Sequence, residues 1–386
     1  MQPWQDPEVG KTKKKWEKFA EEHLAGDYLA RDKAHEFSRE RWEKCAEFGA
    51  LSMAMPEEYG GQGLPLRYTV AAYEGLAHVC ADTGFLFGLN SQVFGVQMPL
   101  LISGSEELKK EYLPKMCAGK LIGTLGFTEE GAGSDVFHVE TRADKTDGGF
   151  VVNGKKTFVT NSPDADYTLL FAKTDNNKNA FDFTCFWVPL EGKGVRKGKA
   201  FDKASLRTVG FGEQIFEDCF VPDDHVLGGV GRGLNVLQEA VGWERGLLLA
   251  HCLGAMERVN DQSIKRANER MQFGKPLAKN QQLSSRIAEA VNNHRIGRTY
   301  VYDLAARLDE VGNASRILSE CCGAKLFVTD AYVQQMLDAT QLWGARGVLN
   351  DWSIQQDTRD ALSSKIWAGS SETLRNTIAK QAGLKA

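Results

Sequence analysis

The chain has 386 residues, with 47 Lys and Arg against 51 Asp and Glu, a net charge of −4. At roughly 150 residues per domain this length predicts two or three domains around a large core, and the near-balance of charge predicts no nucleic-acid partner. Apolar residues at 42% and charged residues at 25% make a globular composition, not a disordered or collagenous one.

The chain opens on Lys11, Lys13, Lys14 and Lys15 with no apolar run behind them, so no signal peptide is expected. The longest strongly apolar stretch reads as Gly246 to Met256, interrupted by His251. It falls short of the ~20 residues of a membrane helix, so no membrane association is expected. The eight cysteines form no Cys-x-x-Cys and sit beside no histidine at zinc spacing. Buried free thiols, no metal and a cytoplasmic location are the expectation.

In chain order, residues 1–122 read as a helical domain. Trp16, Phe19 and Ala20, then Phe37, Trp42, Cys45 and Phe48, recur at helical intervals, and Met55 to Pro65 is a breaker-rich loop. Helical patterning returns from Tyr68 to about Thr83 and from Glu106 to Cys117. Residues 123–232 change grammar and predict a middle antiparallel β domain. Phe150-Val-Val and Lys155 to Thr160 flank Asn153-Gly154, which predicts a tight hairpin turn there. Further β-rich runs are Tyr167–Ala172, Phe183–Val188 and Glu213–Phe220. Residues 233–386 predict helices again: one to Val259, where the pattern dissolves into the charged Lys265-Arg266 region, two long ones near 281–309 and 314–341, and a shorter pair after Asp351. Long helices with short connections predict a bundle.

Four segments carry candidate chemistry. In the first, Leu234, Leu237, Val241, Glu244, Leu248, His251, Ala255 and Val259 follow one another at alternating intervals of three and four. That spacing puts Glu244 in the middle of an apolar helix face. A carboxylate there either pairs with a cation such as Arg245 or has its pKa raised into the range of a general base. His251, seven residues on, shares the face about 10 Å along the axis, as a core histidine or a functional one. The second segment, Thr128-Glu-Glu-Gly131-Ala-Gly133-Ser134-Asp135, lets a ligand approach the backbone or is a tight turn. The third, Arg270 to Pro276, puts Arg beside a breaker, to hold phosphate or to cap a helix. The fourth, Trp367-Ala368-Gly369-Ser370-Ser371-Glu372, is a break between helices that could be a turn and N-cap.

Together, in this order and within the helical–β–helical succession, these segments resemble the acyl-CoA dehydrogenase family. Phe158-Val159-Thr160-Asn161 and Gln341-Leu-Trp-Gly344-Ala-Arg-Gly347 match as well. The resemblance implies an α+β fold with an N-terminal helical domain, a middle antiparallel β domain and a C-terminal four-helix bundle. It also implies FAD and a homotetramer. By position, Phe127, Thr128, Gly133 and Ser134 would lie along the flavin, joined by Phe158 and Thr160. Arg270, Gln272 and Phe273 would reach the pyrophosphate of a neighbouring subunit. Gln281, Gln341 and Gly344 would serve the adenosine side. Trp367, Ser370 and Glu372 would form the last flavin-contacting turn.

Many members place the catalytic Glu where this chain has Ala368. The isovaleryl-type branch places it on the long helix before an Arg, and Trp243-Glu244-Arg245 matches that arrangement. The resemblance thus implies Glu244 as the base that removes the α-proton of an acyl thioester, the N–H of Ala368 as a donor to its oxygen, and Arg245 at the substrate. Gly242 stands where an Asp near the CoA arm is usual, and Glu130 replaces the usual Pro. With those departures the chain most resembles the prolyl-carrier-protein oxidases and dehydrogenases. The implied substrate is then an aminoacyl group such as proline on a phosphopantetheine arm, giving a pyrroline or a more oxidised ring. The alternatives are a short- or branched-chain acyl-CoA dehydrogenase using an electron-transfer flavoprotein instead of oxygen, a flavin monooxygenase, against which Glu244 counts, and a non-catalytic scaffold. A histidine such as His251 or His138 could supply positive charge near a reduced flavin, and the sequence places neither against the ring.

Overall fold

The structure is a computed structural model that describes residues 3–175, 177 and 179–385. Seven helices come first: α1 (Pro7–His23), α2 (Tyr28–Ala34), α3 (Arg39–Phe48), α4 (Leu66–Val79), α5 (Thr83–Ser91), α6 (Met98–Ser103) and α7 (Glu106–Cys117). Their starts are written in the sequence. Ser38, Asp82 and Ser105 each accept from a backbone N–H three residues on, capping α3, α5 and α7. Between α5 and α6 the chain passes through a π-helical turn, Gln92–Gln97. Thr83–Ser103 is therefore one rod, long and apolar enough to cross a membrane by length and composition, and it lies packed in the core. The longest apolar stretch is here and not at Gly246–Met256. Asn90, Gln92 and Gln97 interrupt it in sequence, but each spends its amide on a buried carbonyl.

Eight strands follow: β1 (Gly123–Gly126), β2 (Arg142–Thr146), β3 (Gly149–Thr160), β4 (Tyr167–Lys173), β5 (Phe183–Pro189), β6 (Val195–Ala200), β7 (Phe211–Pro222) and β8 (Val226–Leu227). They form one sheet in the order β6-β7-β3-β2-β4-β5-β8, with β1 beside β4. The long ladders are antiparallel; β1 runs parallel to β4, which it reaches from the helical domain and not through a hairpin. The turn expected at Asn153-Gly154 is absent, because β3 runs straight through it. The chain turns instead at Asp147-Gly148, with Thr146 opposite Gly149 and Gly148 at φ +73°. At Asn153 the register against β7 slips, forming a bulge. The Asn153 side chain and Asp218 bond each other across it, and a Cβ on Gly154 would come 2.7 Å from Thr141 Cα. Asn-Gly here serves a bulge with a close crossing, which the same two letters cannot distinguish from a turn.

Six helices complete the chain: α8 (Gly233–Leu247), α9 (Leu249–Glu269), α10 (Gln281–Val311), α11 (Leu318–Trp343), α12 (Ser353–Ser363) and α13 (Ser371–Gln381), with a small hairpin, β9 (Met271–Gln272) and β10 (Lys275–Pro276), after α9. At the joint of α8 and α9 the Leu248 N–H still reaches Glu244 O. The helix does not end near Val259. Its buried stripe continues through Ser263 and Ala267, small residues that carry no hydrophobic signal. Close packing needs glycines at two points: a Cβ on Gly242 would stand 2.8 Å from Ala314 Cβ, and one on Gly254 would stand 2.8 Å from Ala77 Cβ in α4. All eight cysteines are free and buried.

Candidate active site

α8 carries two carboxylates in the interior, and they differ in satisfaction. Glu239 accepts from Trp243 Nε1 at 2.7 Å and from the backbone N–H groups of Ala314 and Ser315 at 2.7 and 3.1 Å, so it is structural. Glu244 is one turn and a half further on, and among the described residues it accepts only a long hydrogen bond, from the Ser91 hydroxyl at 3.4 Å. Burial pushes its carboxyl up to about 7, although the Arg245 guanidinium pulls the other way. A carboxyl that stays neutral until near neutral pH and then ionises fits a general base.

The ion pair with Arg245 does not form. Arg245 turns to the opposite wall, donating from Nε to Ala368 O at 2.7 Å and approaching Cys322 Sγ with Nη1 at 3.6 Å. This docks the fourth sequence segment against Arg245, the residue next to Glu244 on α8. Ala368 takes φ +52°, a left-handed conformation costing a residue with a Cβ about 1–2 kcal/mol, and Gly369 follows at φ +104°. A Cβ on Gly369 would stand 2.9 Å from Arg245 Nη2, so the turn is fitted against the guanidinium. Ser370 then caps α13 by accepting from Thr373 N at 3.3 Å. The two openings left at this segment, turn and cap, are both real. Trp367 lies 5.5 Å from Phe87 and 6.3 Å from His251 between ring centroids.

His251 offers no positive charge here. It is 2% exposed, and burial pushes it down to about 4. Its neighbours are Asn90 Nδ2 at 3.4 Å and Cys252 Sγ at 3.6 Å. His138 lies out on the β domain surface, 2.7 Å from Asp135.

The β side is brought together from two separated segments. Thr157 N donates to Thr128 O at 2.8 Å, which sets Phe127 and Thr128 against Phe158 and Thr160 on β3. Beneath them, Glu129 accepts from Glu140 N at 2.6 Å, from Thr141 N and Oγ1 at 3.0 and 2.5 Å, and from Lys156 Nζ at 2.7 Å. Lys156 also donates to Phe127 O at 3.1 Å. Lys156, wholly buried, holds the Glu129 carboxylate ionised while burial pushes its own ammonium down to about 8. Gly131, Gly133 and Ser134 are exposed past this anchor. Asn161 reaches Gly88 O in α5, next to the Phe87 that meets Trp367, so α5 joins the β side to the turn of the bundle.

A third set stays apart. Arg270, Gln272 and Phe273 are on the β9–β10 hairpin, with Phe273 95% exposed at φ +51°. Gln281, Gln341 and Gly344 are exposed as well. Arg266 in the last turn of α9 binds Leu342 O and Trp343 O, so these residues share one end of the bundle. The 21 residues of α9, about 30 Å long, separate that end from Glu244.

Sequence reasoning missed Ser91, Gly95 and Lys325. Lys325 interrupts the buried stripe Cys321, Val328 and Tyr332 of α11 just as Glu244 interrupts that of α8, so the same rule finds it. Gly95 gives no signal, because what it leaves room for is distant in sequence.

Comparison with known proteins agrees along the whole chain. The acyl-CoA dehydrogenase N-terminal domain matches residues 7–120, the middle domain 124–219 and the C-terminal domain 231–383. An L-prolyl-[peptidyl-carrier protein] dehydrogenase of Pseudomonas fluorescens is 34% identical over 89% of this chain and 90% of its own. The mitochondrial isovaleryl-CoA dehydrogenase of Oryza sativa subsp. japonica is 32% identical over 94% and 88%. Among solved structures, the prolyl acyl carrier protein oxidase AnaB superposes with a TM-score of 0.94 at 35% identity, covering 98% of this chain and 99% of that one. PigA with FAD and proline gives 0.93 at 28%, covering 98% of each. With three domain matches in register along the chain, this chain belongs to the acyl-CoA dehydrogenase family.

Proposed function

We propose that the protein is an FAD-dependent oxidase or dehydrogenase of an aminoacyl thioester, with a prolyl group on a carrier protein's phosphopantetheine arm as its substrate. The observation that carries the reading is Glu244, a carboxyl raised to about 7 with one weak partner, whose neighbour Arg245 holds a turn where Ala368 has only a methyl. Glu244 removes the α-proton of the thioester. The N–H of Ala368 donates to the thioester oxygen as negative charge develops there. Phe87, Trp367 and neutral His251 pack together at that turn. An FAD held there would supply the acceptor for the β-hydrogen, which leaves as hydride.

The β-side residues fit a flavin. Gly131 and Gly133 have open space where a side chain would stand, Phe158 keeps half its surface exposed, and buried Asn161 Oδ1 has no partner among the described residues. Phe127, Thr128, Gly133, Ser134, Phe158 and Thr160 would hold the group from the β domain, with Trp367, Ser370 and Glu372 from the bundle. In the homotetramer we propose, the exposed residues Arg270, Gln272 and Phe273, with Gln281, Gln341 and Gly344, would hold a flavin of a second copy. Phe273, 95% exposed on that hairpin, is free to meet a second copy.

The second reading is a branched-chain acyl-CoA dehydrogenase, favoured by the isovaleryl-CoA relatives at 32–34% identity. A scaffold without activity is disfavoured by Glu244. One assay separates these: flavin-loaded protein is mixed without oxygen with L-prolyl carrier protein or with isovaleryl-CoA, and flavin absorbance is followed. Bleaching by the prolyl thioester is expected. Bleaching by isovaleryl-CoA alone would establish the second reading, and bleaching by neither would leave the scaffold. On admitting air, peroxide released at the turnover rate marks an oxidase.

A further inference from the structure

We propose that Lys325 is a positioning residue for the oxidation: with Arg245 it clamps the turn Trp367–Gly369 so that the N–H of Ala368 is preset for the thioester oxygen. The inference deepens the reading above and rests on Ala368 being that donor.

Lys325 lies in α11 and is wholly buried. Its Nζ donates to Gly369 O at 2.7 Å and sits 4.9 Å from the centroid of the Trp367 ring. Arg245, from α8, takes the intervening carbonyl of Ala368 at 2.7 Å. Two cations from two helices thus hold three consecutive residues, and those residues include two successive left-handed backbone conformations. Left to itself such a turn relaxes, carrying the amide with it.

The use of charge is the second argument. A neutral donor would satisfy Gly369 O at a smaller desolvation penalty than an ammonium. Among the described residues neither Lys325 nor Arg245 has a carboxylate at ion-pair distance, so both charges are spent on carbonyls and on the field around the turn. Burial pushes Lys325 down to about 7, the nearby Arg245 adding to the fall, while Cys252, Cys322 and Glu244 pull it up. A buried cation kept without a counter-ion, next to the place where an enolate oxygen gains charge, stabilises that charge before it forms.

The test uses flavin-loaded wild type, Lys325→Met and Lys325→Arg, with two readouts. Hydrogen–deuterium exchange of the 365–372 segment reports the clamp without substrate. Anaerobic flavin reduction reports the catalytic consequence. Lys325→Met is expected to exchange this segment at least 10-fold faster, and to lower the reduction rate constant 10- to 100-fold with substrate Kd changed less than 3-fold. Lys325→Arg is expected to restore most of both. Unchanged exchange in Lys325→Met would overturn the clamp, and faster exchange with an unchanged rate constant would overturn its role in the reaction. Should Lys325→Met fail to fold, Lys325→Gln takes the same two readouts. If wild type is reduced by no thioester, the functional reading fails while the exchange result still decides the clamp.

Discussion

Gly95 has no side chain where Glu244 has its carboxylate: a Cβ built on Gly95 would overlap Oε1. Gly95 lies in the π-helical turn Gln92–Gln97, whose wider loop also sets Ser91 toward the same oxygen. The Glu244 carboxyl is therefore seated by an irregularity in a helix about 150 residues earlier in the chain. Gly95→Ala should push Glu244 aside and slow anaerobic flavin reduction at least 10-fold. Flavin content and the melting curve should stay near those of wild type, since one methyl is added beside a movable side chain.

Glu244→Gln should abolish α-proton removal, cutting the reduction rate by about 10³-fold or more. It should also raise the melting temperature at pH 8. The folded value of about 7 lies above the ordinary 4.5, so folding binds a proton between those values. Stability from this site is therefore lost as pH rises from 4.5 toward 7, a penalty on the order of 2 kcal/mol after discounting for partial exposure. The amide escapes that penalty, and the two proteins should melt alike at pH 4. Equal melting at both pH values would contradict the assignment of burial as the cause.

The pH profile of flavin reduction should be a bell near neutrality. Activity rises as Glu244 loses its proton and falls as Lys325 loses its own, both pushed to about 7 by burial. The groups facing Lys325 are Arg245 and Glu244 from α8, Cys252 from α9 and Cys322 on its own helix; the pair titrates as a unit, so the limbs belong to both. Lys325→Arg, whose guanidinium keeps its charge, should flatten the alkaline limb and leave the acidic one. Rapid-reaction absorbance between pH 5.5 and 9 measures both limbs.

Lys156→Met should destabilise the protein by about 3–5 kcal/mol, because it strands the Glu129 carboxylate in the interior. The loss should be felt first as flavin leaving the protein, since Lys156 also holds Phe127 O. Denaturant melts with flavin fluorescence would show it. The double change Lys156→Met with Glu129→Gln should recover part of the stability, as removing both charges is milder than removing one.

Phe273→Ser should weaken assembly and lower flavin retention together if the hairpin serves a second copy. Light scattering and flavin content at several protein concentrations would show it. A change in neither would mean that the exposed ring has another use.

The sequence by itself settled what periodicity and composition encode: the helical, β and helical regions, the inward carboxylate at Glu244, the absence of a carboxylate at Ala368, and free cysteines. These depend on residues within a few turns of one another, so local patterning carries them. It misread Asn153-Gly154, because a bulge and a turn use the same residues and only the strand across the sheet chooses. It overlooked the rod Thr83–Ser103, because its amides look polar until their carbonyl partners arrive from elsewhere. It stopped α9 too early, because Ser263 and Ala267 are buried by fit and not by hydrophobicity. Tertiary structure alone decided that Arg245 would leave Glu244 for Ala368 O, that His251 would be neutral, and that Gly95 would make room for the Glu244 carboxyl. Each of those is a distance between residues more than a hundred positions apart or a loss of solvent that no local pattern specifies, and both arise only when the helices from the two ends of the chain close around the turn at Ala368.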